Sequence, residues 1–568
     1  MAYLFTLHHR EGSRLNEGDY TPFSVGASVS AQVFDETHLY LPGARRFWTQ
    51  GDLPAETDVY ELRDRLQGYP FFHSLVLGGL ARLTGSLEKA WVVAQGVGAA
   101  FLWLGVLLLV QLFAPLVYSS AAAWITVLFA FGPRHALLQG ADALYQPLEL
   151  VRLPHPAISF GVLLAATLAA IRVTASPGRL RAFVLGMIGG LLFSVYYFYS
   201  VGFFLAALLV GITLLLLRDF AIAGRLVLFG LGSFVSALPY FLRVWIGWQQ
   251  GDQKQLMERV GTFTHAVSLP SAVISLGIFA VFVLWVLRCR PALRGTTLPL
   301  TRAALLWFYA LLAAGGLGIS LHAVTGYDAQ HTHFFNRLIQ PMVCVLGLVT
   351  FWQLLGRHWR TLAQTLVATV AVILIALAGY RQKQVALNTH EDHRLDTPDH
   401  NLLGFLRTEA AGKVVATTDP SLALLLPGVA GSWVYVPVAD RTMASGAETL
   451  RRYLTVSKLE QRTLDATLRR LARRAPDDAR LWLHTPYVFF QSTTARPDLE
   501  EQSRKIWDKL DPAKELASRR LDFLVLPGGE MPESLLEMFP GAQSTYSSKK
   551  WRVVTFPPPS ESPAPPPH

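Results

Sequence analysis

The adjacent carboxylates Asp35 and Glu36 can serve as a general base for a hydroxyl group, or as hard oxygen ligands to a divalent ion such as Mg2+ or Mn2+. They open a polar segment, Gln32 to Glu61 (QVFDETHLYLPGARRFWTQGDLPAETDVYE), and seven carboxylates fall between Asp35 and Asp64. A solvated loop is the plain alternative, since an Asp-Glu pair is a weak signal by itself. A second group lies in GPRHALLQGADALYQPLELVRLPHPAISF, with Asp142, Glu149, Arg152 and His155. This stretch is too apolar for a free loop, so its charges are expected in a cleft. There a carboxylate, Asp142 or Glu149, can bind a metal or an acceptor, and the planar fork of Arg152 suits a phosphate. An internal Glu149–Arg152 pair at i,i+3 competes with that role. The third group is GYDAQHTHFFNRLIQPM, where Arg337 stands at the mouth of an apolar run with His331, His333 and Asp328 before it. An ionisable residue at membrane depth is a functional candidate, with snorkelling to the interface as its alternative. HEDHRLDTPDH, from His390 to His400, is dense in His and Asp but reads better as a hydrated stalk.

The elements that must position these residues are mostly apolar. Of 568 residues 52% are hydrophobic and only 16% charged, against about a quarter in ordinary globular proteins. Mean hydropathy is +0.33. The net charge of +10 does not indicate nucleic acid, because many of the arginines sit in short loops between apolar runs. Cys289 and Cys344 are too few for a disulfide framework.

Charge-free stretches set the spans. Ala90 to Gly132 is too long for one crossing of a core about 30 Å thick and breaks at Pro115. Pro156–Ile171 gives a shorter span, and Ala182–Leu217 gives two, expected to turn near Ser200-Val201-Gly202. Tyr196, Tyr197 and Tyr199 read as part of an interfacial aromatic belt. Further candidates are 226–242, 270–287, 303–322, 338–356 and 361–379. The expected fold is a multi-pass α-helical membrane bundle of about 10–11 spans. Arg172, Arg179 and Arg181, then Arg218 and Arg225, then Arg288, Arg290, Arg294 and Arg302, then Arg357 and Arg360 fall on one face, which is the cytoplasmic one by the positive-inside rule. The acidic loops and everything after Tyr380 then lie outside an inner (plasma) membrane. Residues 1–34 hold neither a secretory signal nor a full span. An even count therefore leaves the N-terminus outside. Either Met1–Leu7 is the remnant of a further span, the preferred reading, or Tyr69–Thr84 inserts. The latter stretch, interrupted by His73 and Arg82, reads better as an interfacial or re-entrant helix.

After Tyr380 a soluble α/β domain is expected, with strands at Lys413–Asp419, Trp433–Pro437, Leu521–Leu526 and Trp551–Phe556 and one or two helices over Glu448–Arg474. The domain boundaries are then 1–89 for the N-terminal region and first loop, 90–380 for the bundle, 381–556 for the extracytoplasmic domain and 557–568 for a Pro-rich tail.

With these residues in place, the chain resembles the GT-C class of integral-membrane glycosyltransferases, which includes protein mannosyltransferases and aminoarabinose transferases. DETHLY at Asp35–Tyr40 matches the acidic first loop of that class, YPFFHSLVLGGLARLTG at Tyr69–Gly85 its proline-led segment, and Asp142 the acidic residue of a second loop. The resemblance implies transfer of a sugar from a polyprenyl-phosphate donor to an acceptor glycan, lipid or protein. Asp35 would activate the acceptor or hold a metal, with Glu36 in support and Asp142 completing the acidic site. Arg337 and Arg152 would hold the carrier phosphate, with His155, His331 and His333 beside it. A transporter or lipid flippase is the alternative, but such proteins place charge in broken helices at the bilayer midplane and often show repeated halves, which this sequence lacks. A polysaccharide polymerase or ligase would be a close relative of the first reading, and a non-catalytic assembly protein would not need the acidic loops.

Overall fold

A computed structural model describes residues 6–15, 40–52, 56–66, 71–130, 156–249, 262–328, 332–389, 397–437, 442–472, 497–528 and 531–556. Asp35, Glu36, Asp142, Glu149, Arg152, His155 and His331 lie outside the described residues, as does the proline-rich tail.

Among the described residues α1 (Leu7–Leu15), α2 (Leu41–Gln50) and α3 (Phe72–Thr84) precede the apolar bundle. The longer helices that follow are α4 (Leu87–Gln111), α5 (Leu116–Ala130), α6 (Ser159–Ala175), α7 (Arg179–Val195), α8 (Tyr197–Leu216), α9 (Phe220–Gln249), α10 (Leu269–Cys289), α11 (Leu300–Ile319), α12 (Gln340–Leu354) and α13 (Arg360–Thr389). Among the described residues seven segments are long and apolar enough to cross a membrane, contributed by α4 and by α8 to α13; α5 and α6 are shorter apolar helices. The Pro115 break falls where expected. Outer helices expose Leu216, Val227, Leu276 and Val372 by 65% or more, a surface suited to lipid rather than water. α3, only 13 residues long, packs on α2 and α4.

One sequence expectation is corrected. The chain turns between α7 and α8 at Tyr196, whose backbone is extended, and not at Ser200–Gly202. Gly202 instead lies within α8, where an added Cβ would meet the Leu338 side chain at 2.5 Å. The glycine permits close packing, which sequence alone does not distinguish from a turn.

The C-terminal domain comprises α14 (Thr397–Glu409), β3 (Val414–Ala416), α15 (Pro420–Leu425), β4 (Trp433–Val434), α16 (Gly446–Leu459), α17 (Leu464–Ala472), α18 (Pro497–Lys509), α19 (Pro512–Ala517), β5 (Phe523–Pro527), α20 (Glu533–Met538), β6 (Gln543–Ser547) and β7 (Trp551–Thr555). Its sheet runs β4-β3-β5-β7-β6, with β3 parallel to β4 and β5, and β7 antiparallel to β5 and β6. The four expected strands are present, with ends that shift by a few residues. β6 escapes a hydrophobic pattern because QSTYS forms a mostly exposed edge.

The two ends of the bundle differ. Leu87 and Trp91 of α4 share an apolar cluster with Leu402, Val415, Phe523 and Val553, so the C-terminal domain sits at the end where α4 begins. That end also receives the α7–α8 junction and the start of α12, joined by a Tyr196–His333 hydrogen bond. At the other end Arg225 donates to the carbonyls of Val173 and Thr296, tying three arginine-bearing turns together.

Candidate functional site

Between α11 and α12 the chain supplies one strand of a small two-stranded sheet and an irregular entry to α12. Tyr327–Asp328 (β2) pairs antiparallel with Thr262–Phe263 (β1). A short turn, Thr332–Phe334, then passes into a π-turn, Phe335–Ile339, before α12 begins. Such wide turns cost hydrogen-bond geometry and recur at functional sites, because they aim side chains that a regular helix would turn aside. This one carries Arg337. Its seat is cut by small residues: a Cβ on Gly315 would meet Ile339 at 2.7 Å, and one on Gly318 would meet the Phe334 ring at 2.5 Å.

Arg337 does not simply snorkel outward. Its Nη1 donates to the Tyr196 Oη at 2.8 Å, and the guanidinium stands 5.3 Å from the centre of the same ring. The phenol oxygen is also 2.8 Å from Nδ1 of His333. The phenol oxygen thus accepts from Arg337 and shares a hydrogen bond with the imidazole, whose direction follows the histidine tautomer. Phe198 packs edge-on against the imidazole with ring centroids 4.7 Å apart. Arg337 and His333 are half-buried and Tyr196 is buried, so the guanidinium charge acts in a partly dehydrated setting. Tyr196, read from sequence as interfacial belt, is the hub of this cluster.

Further residues lie at the same end. Arg243, buried near the end of α9, stands 5.3 Å from the Phe71 ring that precedes α3. Tyr40, the last residue of DETHLY, meets His73 of α3 edge-on at 4.2 Å, so two separately recognised sequence segments converge there. His73 is buried, and burial pushes its imidazole down to about 3, making it neutral at pH 7. Burial, with Tyr197 and Asp328 nearby, pushes the Tyr327 phenol well above its ordinary value. Arg243 lies one residue beyond the expected span 226–242, near the end of the observed helix, and its place there is the one signal of a role.

Beneath α3 lies an apolar cleft of about 350 Å3, lined among others by Phe72, Val76, Val97, Phe101, Ile188 and Leu191. Leu191 is five residues before Tyr196, about 7.5 Å at 1.5 Å per residue, so the cleft approaches the Arg337 cluster along α7. The cationic cluster thus stands at the end of α7, the same helix that contributes Ile188 and Leu191 to a hydrocarbon-like groove.

Among the described residues no group of three or more His, Cys, Asp or Glu side chains is arranged to hold a metal. Asp399 of the HEDHRLDTPDH stretch instead accepts from Lys550 Nζ at 2.7 Å and from Trp551 Nε1, tying α14 to β7. Of the sequence-nominated site residues, Arg337 and His333 are brought together.

No protein-family model matches the chain. No curated protein matches its sequence. Among solved structures it is similar to ArnT from Cupriavidus metallidurans bound to undecaprenyl phosphate, at 12% identity and a TM-score of 0.38, covering 97% of this chain and 98% of that one. It is also similar to the Archaeoglobus fulgidus oligosaccharyltransferase in its apo form, at 10% identity and a TM-score of 0.42, covering 92% and 69%. A third is the archaeal oligosaccharyltransferase AglB from Archaeoglobus fulgidus in complex with an inhibitory peptide and a dolichol-phosphate, at 11% identity and a TM-score of 0.34, covering 92% and 69%. These likenesses are loose, and the functional reading rests on the chain's own residues.

Proposed function

We propose that this chain is a membrane glycosyltransferase that moves a sugar from a polyprenyl-phosphate donor to an acceptor at the bundle end carrying the C-terminal domain. The observation that carries the reading is the Arg337–Tyr196–His333 cluster at the end of α7, a helix that also lines an apolar groove. The groove, with its apolar lining, suits the prenyl chain. Arg337 suits the phosphate, and the imidazole of His333 joins it through Tyr196. In the transfer, the bond between the anomeric carbon and the phosphate oxygen breaks and its electron pair leaves on the phosphate. Arg337 stabilises that growing charge in a partly dehydrated site, where it is worth more than in water. A bond forms from the acceptor oxygen to the anomeric carbon, and the acceptor proton passes to Asp35, with Glu36 in support and Asp142 completing the acidic site. Arg152, His155 and His331 stand as further phosphate contacts. A divalent ion on Asp35 and Asp142 would be an alternative means of activating the acceptor.

The arginine-bearing turns at the opposite end support an extracytoplasmic site. The cluster's place at one end of the bundle, not mid-span, favours transfer over transport. Binding of undecaprenyl phosphate to the purified chain in lipid nanodiscs tests the reading. Arg337→Ala is expected to weaken binding at least tenfold; equal binding by wild type and variant would overturn the assignment.

A further inference from the structure

The residues that follow the first acidic motif are bound to the C-terminal domain by an unusually complete set of contacts. Glu56 is fully buried. Its Oε2 accepts from the Met443 backbone N–H at 2.6 Å and from Thr442 Oγ1 at 3.2 Å, while Oε1 accepts from the Asp58 N–H at 3.0 Å. The Glu56 carbonyl accepts from Arg46 at 2.8 Å, and the Asp58 carbonyl accepts from the Val434 N–H at 2.8 Å, extending the hydrogen bonding at the β4 edge. Arg45, one residue away on α2, donates to the carbonyls of Gly428 and Val429, each at 2.6 Å. Glu61 accepts from Arg452 at 3.2 Å, and Tyr60 meets Trp433 edge-on.

The grip passes onward through packing. Gly78 of α3 touches α2 so closely that a Cβ would meet the Ala44 carbonyl oxygen at 2.7 Å and the Phe47 ring at 2.8 Å. Arg82 of α3 donates to the Phe47 carbonyl at 2.7 Å. α3 in turn carries Phe72, Val76 and Leu80 into the wall of the apolar cleft. Each link is a direct contact, from C-terminal domain to Glu56 and Arg45, to α2, to α3, to the cleft.

We infer that the C-terminal domain acts as an anchor for the helix that walls the lipid-facing cleft, with Glu56 and Arg45 as positioning residues. The structural half of this inference stands without the transferase reading; the consequence for carrier binding rests on it. Glu56→Gln tests the link, because the carboxamide turns an N–H2 toward a backbone donor that needs an acceptor. Thr442→Val, which removes the 3.2 Å bond to Glu56 and the acceptor of the Ala444 N–H but leaves the Met443 bond, is a second variant. In the full chain in nanodiscs, Glu56→Gln is expected to raise amide exchange over residues 41–50 and 72–84 at least tenfold, and Thr442→Val a few-fold. Exchange in Phe523–Pro527 and in α11 should hold at wild-type rates. Undecaprenyl phosphate binding should weaken about tenfold in Glu56→Gln, while its salt dependence, set by the headgroup site, stays unchanged. Unchanged exchange in α3 would overturn the inference. So would an equal rise in the C-terminal strands, which would make Glu56 a residue of that domain's own fold. Raised α3 exchange with undiminished lipid binding would sever the anchor from the cleft. If wild type itself binds no undecaprenyl phosphate, the exchange data still decide the anchor, and the transferase reading is what fails.

Discussion

Tyr196 decides how the Arg337 cluster works, because its oxygen both holds the guanidinium and hydrogen-bonds the His333 imidazole. Tyr196→Phe keeps the ring under the cation but removes both hydrogen bonds. A bond to a charged group contributes about 1.5–3 kcal/mol, so carrier-phosphate affinity should fall about tenfold to a hundredfold, as titration in nanodiscs would register. A fall below twofold would make the tyrosine a packing residue only. His73 gives a second residue-scale expectation, in pH. Its folded-state value is lowered to about 3 from 6.5 by burial, so the folded chain binds fewer protons than the unfolded one between those values. Stability is therefore full above pH 6.5 and falls as pH drops toward 3, by about 1.4 kcal/mol per pH unit once well below 6.5. Thermal unfolding of wild type and His73→Phe between pH 7 and pH 4.5 should show a shallower decline in the variant. Parallel declines would remove His73 as a source of acid sensitivity.

Among the elements, the π-turn at Phe335–Ile339 and its seat on Gly315 and Gly318 hold the site's geometry. Gly315→Val would push Ile339 outward, and overpacking of this kind costs about 1–3 kcal/mol. Because the pushed residue is two positions from Arg337, carrier affinity should drop more than a stability change of that size alone explains, measured against Gly277→Val, which meets open space. Equal effects of the two variants would show that the seat does not govern the site. The spans were legible because charge-free runs and Pro115 record them directly, whereas a π-turn leaves no periodicity to read. Arg337 could be nominated from its odd place at a span mouth. Its partner Tyr196 could not, since three tyrosines near an interface look alike until the chain's turn is located at one of them. β6 stayed hidden for the opposite reason, its polar edge lacking any alternation of buried residues.

At the scale of the whole molecule, the bundle has one end of arginine-bearing turns and one end covered by the C-terminal domain. The proposal places the second end outside the cytoplasm. A cysteine at Lys549 should then react with a membrane-impermeant maleimide in intact cells, and one at Arg294 only after permeabilisation, in a background lacking Cys289 and Cys344. The reverse pattern would put the site in the cytoplasm. The overall plan was readable from hydropathy and arginine placement; the anchoring of the first loop on the C-terminal domain was not, because Glu56 and Met443 are joined across 387 positions. The most direct test of the central claim is sugar discharge from a mixed pool of polyprenyl-phosphate sugars by the purified chain, beside Arg337→Gln and Asp35→Asn. The account predicts that wild type discharges one donor and that both variants lose most of the rate, Arg337→Gln with weakened donor binding and Asp35→Asn without it. A well-folded wild-type chain that leaves every donor intact, or variants that discharge as fast as wild type, would contradict it.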